Sequence, residues 1–284
     1  MPAWNQPSNH LVFLYLLINA KTLSIFVLWK NRGLFRQFLV REITSRYLGS
    51  ISGSLWMLVH PLAQLAIYSL VFTVIFRVRF PELQQHGFVV FVAMALWPWL
   101  AFQEGVQRAV VAISANAGLI KKIALPHELL VYAAVGGSFV VHIAGFVLVV
   151  SVLSVFGADL HLETLPAVLL LLAMLALLAV ALSLLLAALQ IFLKDVEHVI
   201  APLFMFLFYV SPVLYPITLV PEPLRSVIAA NPMSYFMGRM RELFMFGDWA
   251  PRWSDAWALA GCLLLFYLAR RFFLRCAGRF EEFL

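Results

Sequence analysis

The chain has 284 residues, 63% of them hydrophobic and 12% charged, with a mean hydropathy of +0.94; soluble domains run at about 45–50% apolar and about 25% charged, so a soluble fold could not bury this much apolar surface. The net charge of +6 and pI near 9.5 do not point to nucleic acid, because in so apolar a chain the position of Lys and Arg reports membrane topology. Two cysteines, Cys262 inside an apolar stretch and Cys276 beyond its basic end, give neither a disulfide framework nor a clustered metal site.

Residues 2–10 lack a basic region and the apolar run 11–20 lacks a small-residue cleavage site, so the start of the chain is expected to be retained. Segment 11–29 is interrupted by Asn19 and Lys21. A charge at a helix centre costs roughly 2.5–3.5 kcal/mol on insertion scales, so residues 1–30 read as a membrane-associated extension and 31–284 as the membrane domain. At the start of that domain Leu34, Phe35, Phe38, Leu39 and Ile43 share one helical half, and Arg36, Gln37, Arg41 and Thr44 take the other. This suits an amphipathic helix in the membrane interface, with a solvated linker as the alternative. Glu42 breaks the apolar face.

Six apolar segments follow, at about 51–76, 88–106, 129–156, 165–193, 199–219 and 253–273. A spanning helix needs about 20 apolar residues, and in hydrocarbon the backbone must satisfy its own polar groups, so the predicted fold is all-α and polytopic with six transmembrane helices. Placing both termini in the cytoplasm puts most of the 20 Lys and Arg residues on the inner side, as the positive-inside rule requires. The loop 220–252 is too apolar to be free. Leu224, Val227 and Ile228, then Met233, Phe236, Met240, Leu243 and Phe244, recur at helical spacing. Pro223 suits a helix start and Asn231-Pro232 a break, which predicts two short re-entrant helices at the outer surface before the last span.

No G-x-x-x-x-G-K-[ST] phosphate loop occurs, so ATP could act only through a separate subunit. His127-Glu128 lacks the second His of a zinc helix and His161-x-Glu163 lacks a following Cys-x-x-Cys, so neither metal nor cofactor chemistry is expected of the chain. Glu104 lies near the end of a predicted span, Asp195 and Glu197 sit in an inner turn, and His60 and His142 read as packing residues, which leaves no evident proton or sodium relay. Among many aromatics, Trp56, Tyr68, Trp97, Trp99, Phe208, Tyr209 and Tyr215 are candidates to line a channel, since the C–H faces of sugar rings stack on aromatic rings. Interfacial belts or core packing are the alternative for each.

The run Arg41-Glu42-Ile43-x-x-Arg46-Tyr47-x-Gly49-Ser50-x-x-Ser54-x-Trp56, followed by His60-Pro61, resembles permeases of bacterial ABC exporters of polysaccharides, O-antigen and teichoic acids. Three further segments agree in order: Asn116-Ala117-Gly118-Leu119-Ile120-Lys121-Lys122 with Leu125-Pro126, Phe192-Leu193-Lys194-Asp195-Val196, and Asn231-Pro232-Met233. The resemblance runs from about residue 31 to the end. It implies an inner-membrane channel made by two copies of the chain. Two ATPase subunits carrying ATP and Mg would dock below, and a lipid-linked glycan would pass from cytoplasm to periplasm. It also implies that Asn116, Gly118, Leu119, Ile120, Lys121, Lys122 and Pro126 belong to a coupling helix that fits the ATPase, and that Arg41, Glu42, Arg46 and Tyr47 belong to an interface or gate helix.

Ordinary basic anchoring is the alternative for both sets. Apolar Gly118-Leu119-Ile120 is expected to be exposed, as a docking surface requires. The apolar segment 11–29 departs from the family pattern. Other substrates of the same architecture are teichoic acid, capsule, lipid or drug. Rivals of another class are a secondary transporter, which would need a coupling-ion site, and an intramembrane glycolipid transferase, for which Glu104 and His127-Glu128 are the candidate acid–base groups.

Overall fold

A computed structural model of the protein describes residues 24–46, 53–77 and 87–284. Most of the N-terminal extension, Tyr47 and the beginning of the first predicted span lie outside the described residues. Among the described residues every regular element is helical. Helix α1 (Ser24–Lys30) leads into α2 (Arg32–Ser45) through Asn31, whose side chain donates to the Val27 carbonyl at 2.9 Å. Helix α3 (Trp56–Ser69) continues as a π-helical turn over Leu70–Ile75. Then come α4 (Gly87–Val110), a short α5 (Ala117–Ile120), α6 (Glu128–Val155), α7 (Leu165–Phe192) and α8 (Asp195–Val210). The chain closes with α9 (Glu222–Ala230), α10 (Pro232–Phe246), α11 (Trp253–Ala277) and α12 (Phe280–Phe283).

Among the described residues five stretches are long and apolar enough to cross a bilayer: Leu58–Ile75, Gly87–Val110, Glu128–Val155, Leu162–Phe192 and Trp253–Ala277. The protein is therefore a multi-pass helical membrane protein. The predicted fifth span, 199–219, is not one continuous helix. Helix α8 has 16 residues and would cover about 24 Å of a hydrocarbon core about 30 Å thick. Ser211, in extended conformation, ends it, and the chain turns back through Pro212.

Helix α4 forms the centre. Of its apolar stretch 78% is buried against the rest of the chain, compared with 11% for the first stretch and 17% for the last. In lipid there is little gain from hiding apolar surface as such, so helices associate through close packing, which small residues permit. Helices α4 and α7 pack on each other, and each carries fully enclosed alanines, Ala93, Ala95 and Ala109 on α4 and Ala179, Ala181, Ala187 and Ala188 on α7. Where α6 crosses α4, a Cβ on Gly105 would already touch Val135, Ser138 and Phe139 at 3.6 Å. Helix α2 lies against α6 at a glycine pair: a Cβ on Gly136 would meet Leu39 Cδ1 at 3.3 Å, and one on Gly137 would meet Glu42 Cγ at 2.9 Å.

Ring contacts and hydrogen bonds fix which ends meet. Phe280 packs on His127, Phe192 and Phe273, while Arg270 binds Glu128, so the basic end gathers the start of α6, the end of α7 and the end of α11. At the opposite end the His161 amide donates to the Phe244 carbonyl at 2.9 Å, and Phe146 meets Phe244 edge-on.

The two predicted short helices are realised as α9 and α10. Helix α10, however, does not lie on the outer surface: it packs on α4 and α7, with Met233, Phe236, Met237, Met240, Leu243 and Phe244 enclosed. Asn231 caps it by accepting from the Met233 amide at 3.0 Å, and Gly247 ends it in the left-handed conformation (φ 64°).

Candidate functional site

At the basic end, α2 delivers Arg46 into the bundle with its side chain only 2% exposed. Arg46 donates to Glu104 Oε1 on α4 at 2.8 Å and to Ser138 Oγ on α6 at 2.7 Å. Arg108, one turn beyond Glu104, donates to the same oxygen at 2.8 Å and to Glu42 Oε1 at 2.9 Å. His142 Nε2 lies 2.6 Å from the other oxygen of Glu104. Charges at membrane depth are tolerated only when paired, and here two carboxylates face two guanidinium groups with Glu104 as the hub. Glu42, which breaks the apolar pattern of α2, is thereby explained: it points over Gly137 to Arg108.

One helical turn earlier on α2, Arg41 donates to Asn116 Oδ1, so the segment resembling a gate helix touches the segment resembling a coupling helix. A cavity of about 150 Å³ lies beneath that contact, lined by Phe38, Arg41, Glu42, Arg108, Asn116 and Ala133 among others.

The exposure expected of the loop from Asn116 to Pro126 holds for some residues and not for others. Gly118, Lys121 and Lys122 are exposed, and Pro126 is half-buried. Ile120 corrects the expectation: it is 2% exposed and packs into the core, with Leu119 half-buried beside it. A single helical turn followed by a bend cannot present three consecutive residues outward, so one must face the bundle. The exposed apolar residue of this loop is instead Ile123, at 55%. Nearby, burial beside Phe280 pushes the His127 imidazole down from its ordinary value, against the opposing pull of Glu281. The acid–base groups that a transferase would need are occupied: Glu128 takes two hydrogen bonds from Arg270, at 2.9 and 3.1 Å, and one from Tyr132 at 3.2 Å, while Glu104 is the hub described above.

Farther along, between α3 and the end of α8, four of the seven aromatic candidates come together. Tyr68, Phe208, Tyr209 and Tyr215, with Phe72 and Leu214, line a groove of about 270 Å³. Tyr68 stacks on Phe208 at 5.8 Å between ring centroids, and the Tyr215 hydroxyl donates to the carbonyls of Tyr209 and Val210. Trp56 is exposed near the start of α3, away from the groove lining. Trp97 and Trp99 are corrected. They are 1% and 0% exposed because they sit on the central helix, where every face is covered. Trp99 backs the groove from behind, 5.6 Å from Phe208, with its indole N–H on Gln103 at 2.6 Å.

The model of the family described as ABC-2 type transporter matches residues 33–245. The chain belongs to the ABC-2 type transporter family. Relatives of this ABC-2 transporter chain include the O-antigen export system permease protein RfbA of Myxococcus xanthus, 32% identical over 225 residues, 76% of this chain and 82% of the relative. An RfbA of Klebsiella pneumoniae is 26% identical over 207 residues, 73% of this chain and 78% of the relative. The polysialic acid transport protein KpsM of Escherichia coli is 24% identical over 209 residues, 73% of this chain and 80% of the relative. The charged cluster and the groove of the ABC-2 chain both fall inside the matched region, whereas α11 lies beyond it.

Proposed function

We propose that this chain is the channel-forming membrane subunit of an ATP-driven exporter that moves a lipid-linked, O-antigen-like polysaccharide from cytoplasm to periplasm across the bacterial inner membrane. The observation that carries this reading is the similarity, over most of both chains, to permeases named for O-antigen export. The geometry adds a route for the drive. Two copies form the channel with both termini cytoplasmic, and two ATPase subunits, holding ATP and Mg, dock on the loop that presents Lys121, Lys122 and Ile123. Movement there passes through Asn116 to Arg41 and through the Glu42–Arg108–Glu104–Arg46 pairs to α4 and α6. The aromatic groove offers rings on which the C–H faces of sugars slide without tight binding. Similarity to a polysialic acid transport protein favours capsular polysaccharide as the second reading.

The test is affinity purification of the tagged chain in detergent. The wild-type chain is expected to bring down a stoichiometric subunit bearing a phosphate loop, and Lys121→Glu with Lys122→Glu should lose it while inserting normally. A chain that purifies alone yet supports export, or a double variant that still retains the ATPase, would overturn the assignment.

A further inference from the structure

Arg241 is the least expected charge in the molecule. It is 6% exposed, and no carboxylate among the described residues pairs with it. Its guanidinium lies 3.4 Å from the centre of the Phe91 ring and spends its donors on three main-chain carbonyls: Phe91 at 3.0 Å, Pro212 at 2.7 Å and Val213 at 2.6 Å. The last two belong to the chain just past the end of α8, where the peptide groups have left the helical ladder. A carbonyl left unpaired inside an apolar bundle is costly. A planar fork of N–H donors can satisfy adjacent carbonyls together, which a lysine ammonium cannot do with the same geometry. A second tie acts on the same segment: Asn231 Nδ2 donates to Ser211 Oγ at 2.9 Å while Asn231 Oδ1 caps α10.

The residues that follow directly are Leu214 and Tyr215 of the aromatic groove. One wall of the groove is thus anchored to the re-entrant helix α10 and the head of α4. The other wall is carried by α3 and its π-helical turn, which are scarcely held by the rest of the chain.

We propose that Arg241 is a positioning residue for transport: from α10 it fixes the 211–215 wall and so sets the groove width available to a sugar chain. This rests on the reading of the groove as the glycan path.

The experiment uses the intact exporter in cells, with surface glycan measured per unit of membrane-inserted protein, for Arg241→Lys, Tyr215→Ala and the double variant. Arg241→Lys keeps the charge and loses the fork; export should fall about tenfold, the rate equivalent of roughly one strong hydrogen bond. In the Tyr215→Ala background the same change should add little, because both act through one wall. Unchanged export in Arg241→Lys, or a loss that multiplies with that of Tyr215→Ala, overturns the positioning role and leaves the groove reading intact. Unchanged export in Tyr215→Ala removes the groove reading, and the inference falls with it. Should Arg241→Lys fail to accumulate, Ser211→Ala releases the milder tie to the same segment, and the same pattern with Tyr215→Ala decides.

Discussion

Two charge sites in the helix bundle solve the same problem, a charge held among packed helices, in opposite ways. At the basic end Arg46, Arg108, Glu42, Glu104 and His142 form a cluster in which each charge has a charged or titratable neighbour on another helix or another turn. At the other end Arg239 is paired with Glu242 and Asp255, whereas Arg241 has main-chain carbonyls and the Phe91 ring in place of a carboxylate. Paired side chains can trade partners as helices shift, whereas a guanidinium locked on three carbonyls leaves its segment one position. Under the proposed function the cluster suits the end on which an ATPase would act, and Arg241 suits a wall that must stay in place.

Removing the hub should break the comparison most severely. Glu104→Ala leaves Arg46, Arg108 and His142 without their shared carboxylate; Arg46 is enclosed but Glu104 is a third exposed, so the loss should fall below the figure of about 3–5 kcal/mol for a fully buried pair. We expect a large drop in membrane-inserted protein and in Tm in detergent, with Glu104→Gln losing less because it retains an acceptor.

Gly137→Ala sharpens the role of close approach. Its Cβ would fall 2.9 Å from Glu42 Cγ, and overpacking of this sort costs about 1–3 kcal/mol. The variant should lower Tm moderately and weaken the α2–α6 contact, readable as increased alkylation of a cysteine placed at Leu39.

The smallest effect is expected at the outermost pair. Glu42→Gln should destabilise by about 0.5–1 kcal/mol, since its pair with Arg108 is partly exposed and Arg108 keeps Glu104. A thermal shift as large as that of Glu104→Ala would show that this pair is held as strongly as the hub. Arg241 offers no carboxylate to neutralise in this way, because its hydrogen bonds go to backbone carbonyls.

The helical architecture was legible because hydropathy reports directly on apolar runs, and the break at Asn231-Pro232 is backbone chemistry. The site was less so. Glu42 reads as a flaw in an amphipathic pattern until Arg108, 66 residues away, is brought to it; local periodicity carries no information about such a partner. Arg241 looks like one more outer-loop charge, since nothing in its neighbours announces that α10 is drawn inside. Aromatic content flagged Tyr68, Phe208, Tyr209 and Tyr215 alongside Trp97 and Trp99, but ring type cannot say which helix is central. The one available signal was that α4 carries Ala and Gly among its large residues, the mark of a helix crowded on several sides.

The π-helical turn at the end of α3 has a consequence for how such a groove can diversify. The Phe76 amide donates to the Val71 carbonyl, five residues back, at 2.8 Å, so this turn holds one residue more than an α-helical turn requires. Because the wider turn absorbs the extra residue, losing a single residue between 70 and 75 would restore α-helical register and leave the chain beyond it close to its present direction. A one-codon deletion could therefore change which side chain stands where Phe72 faces the groove and stacks on Phe88, while the rest of the helix keeps its place.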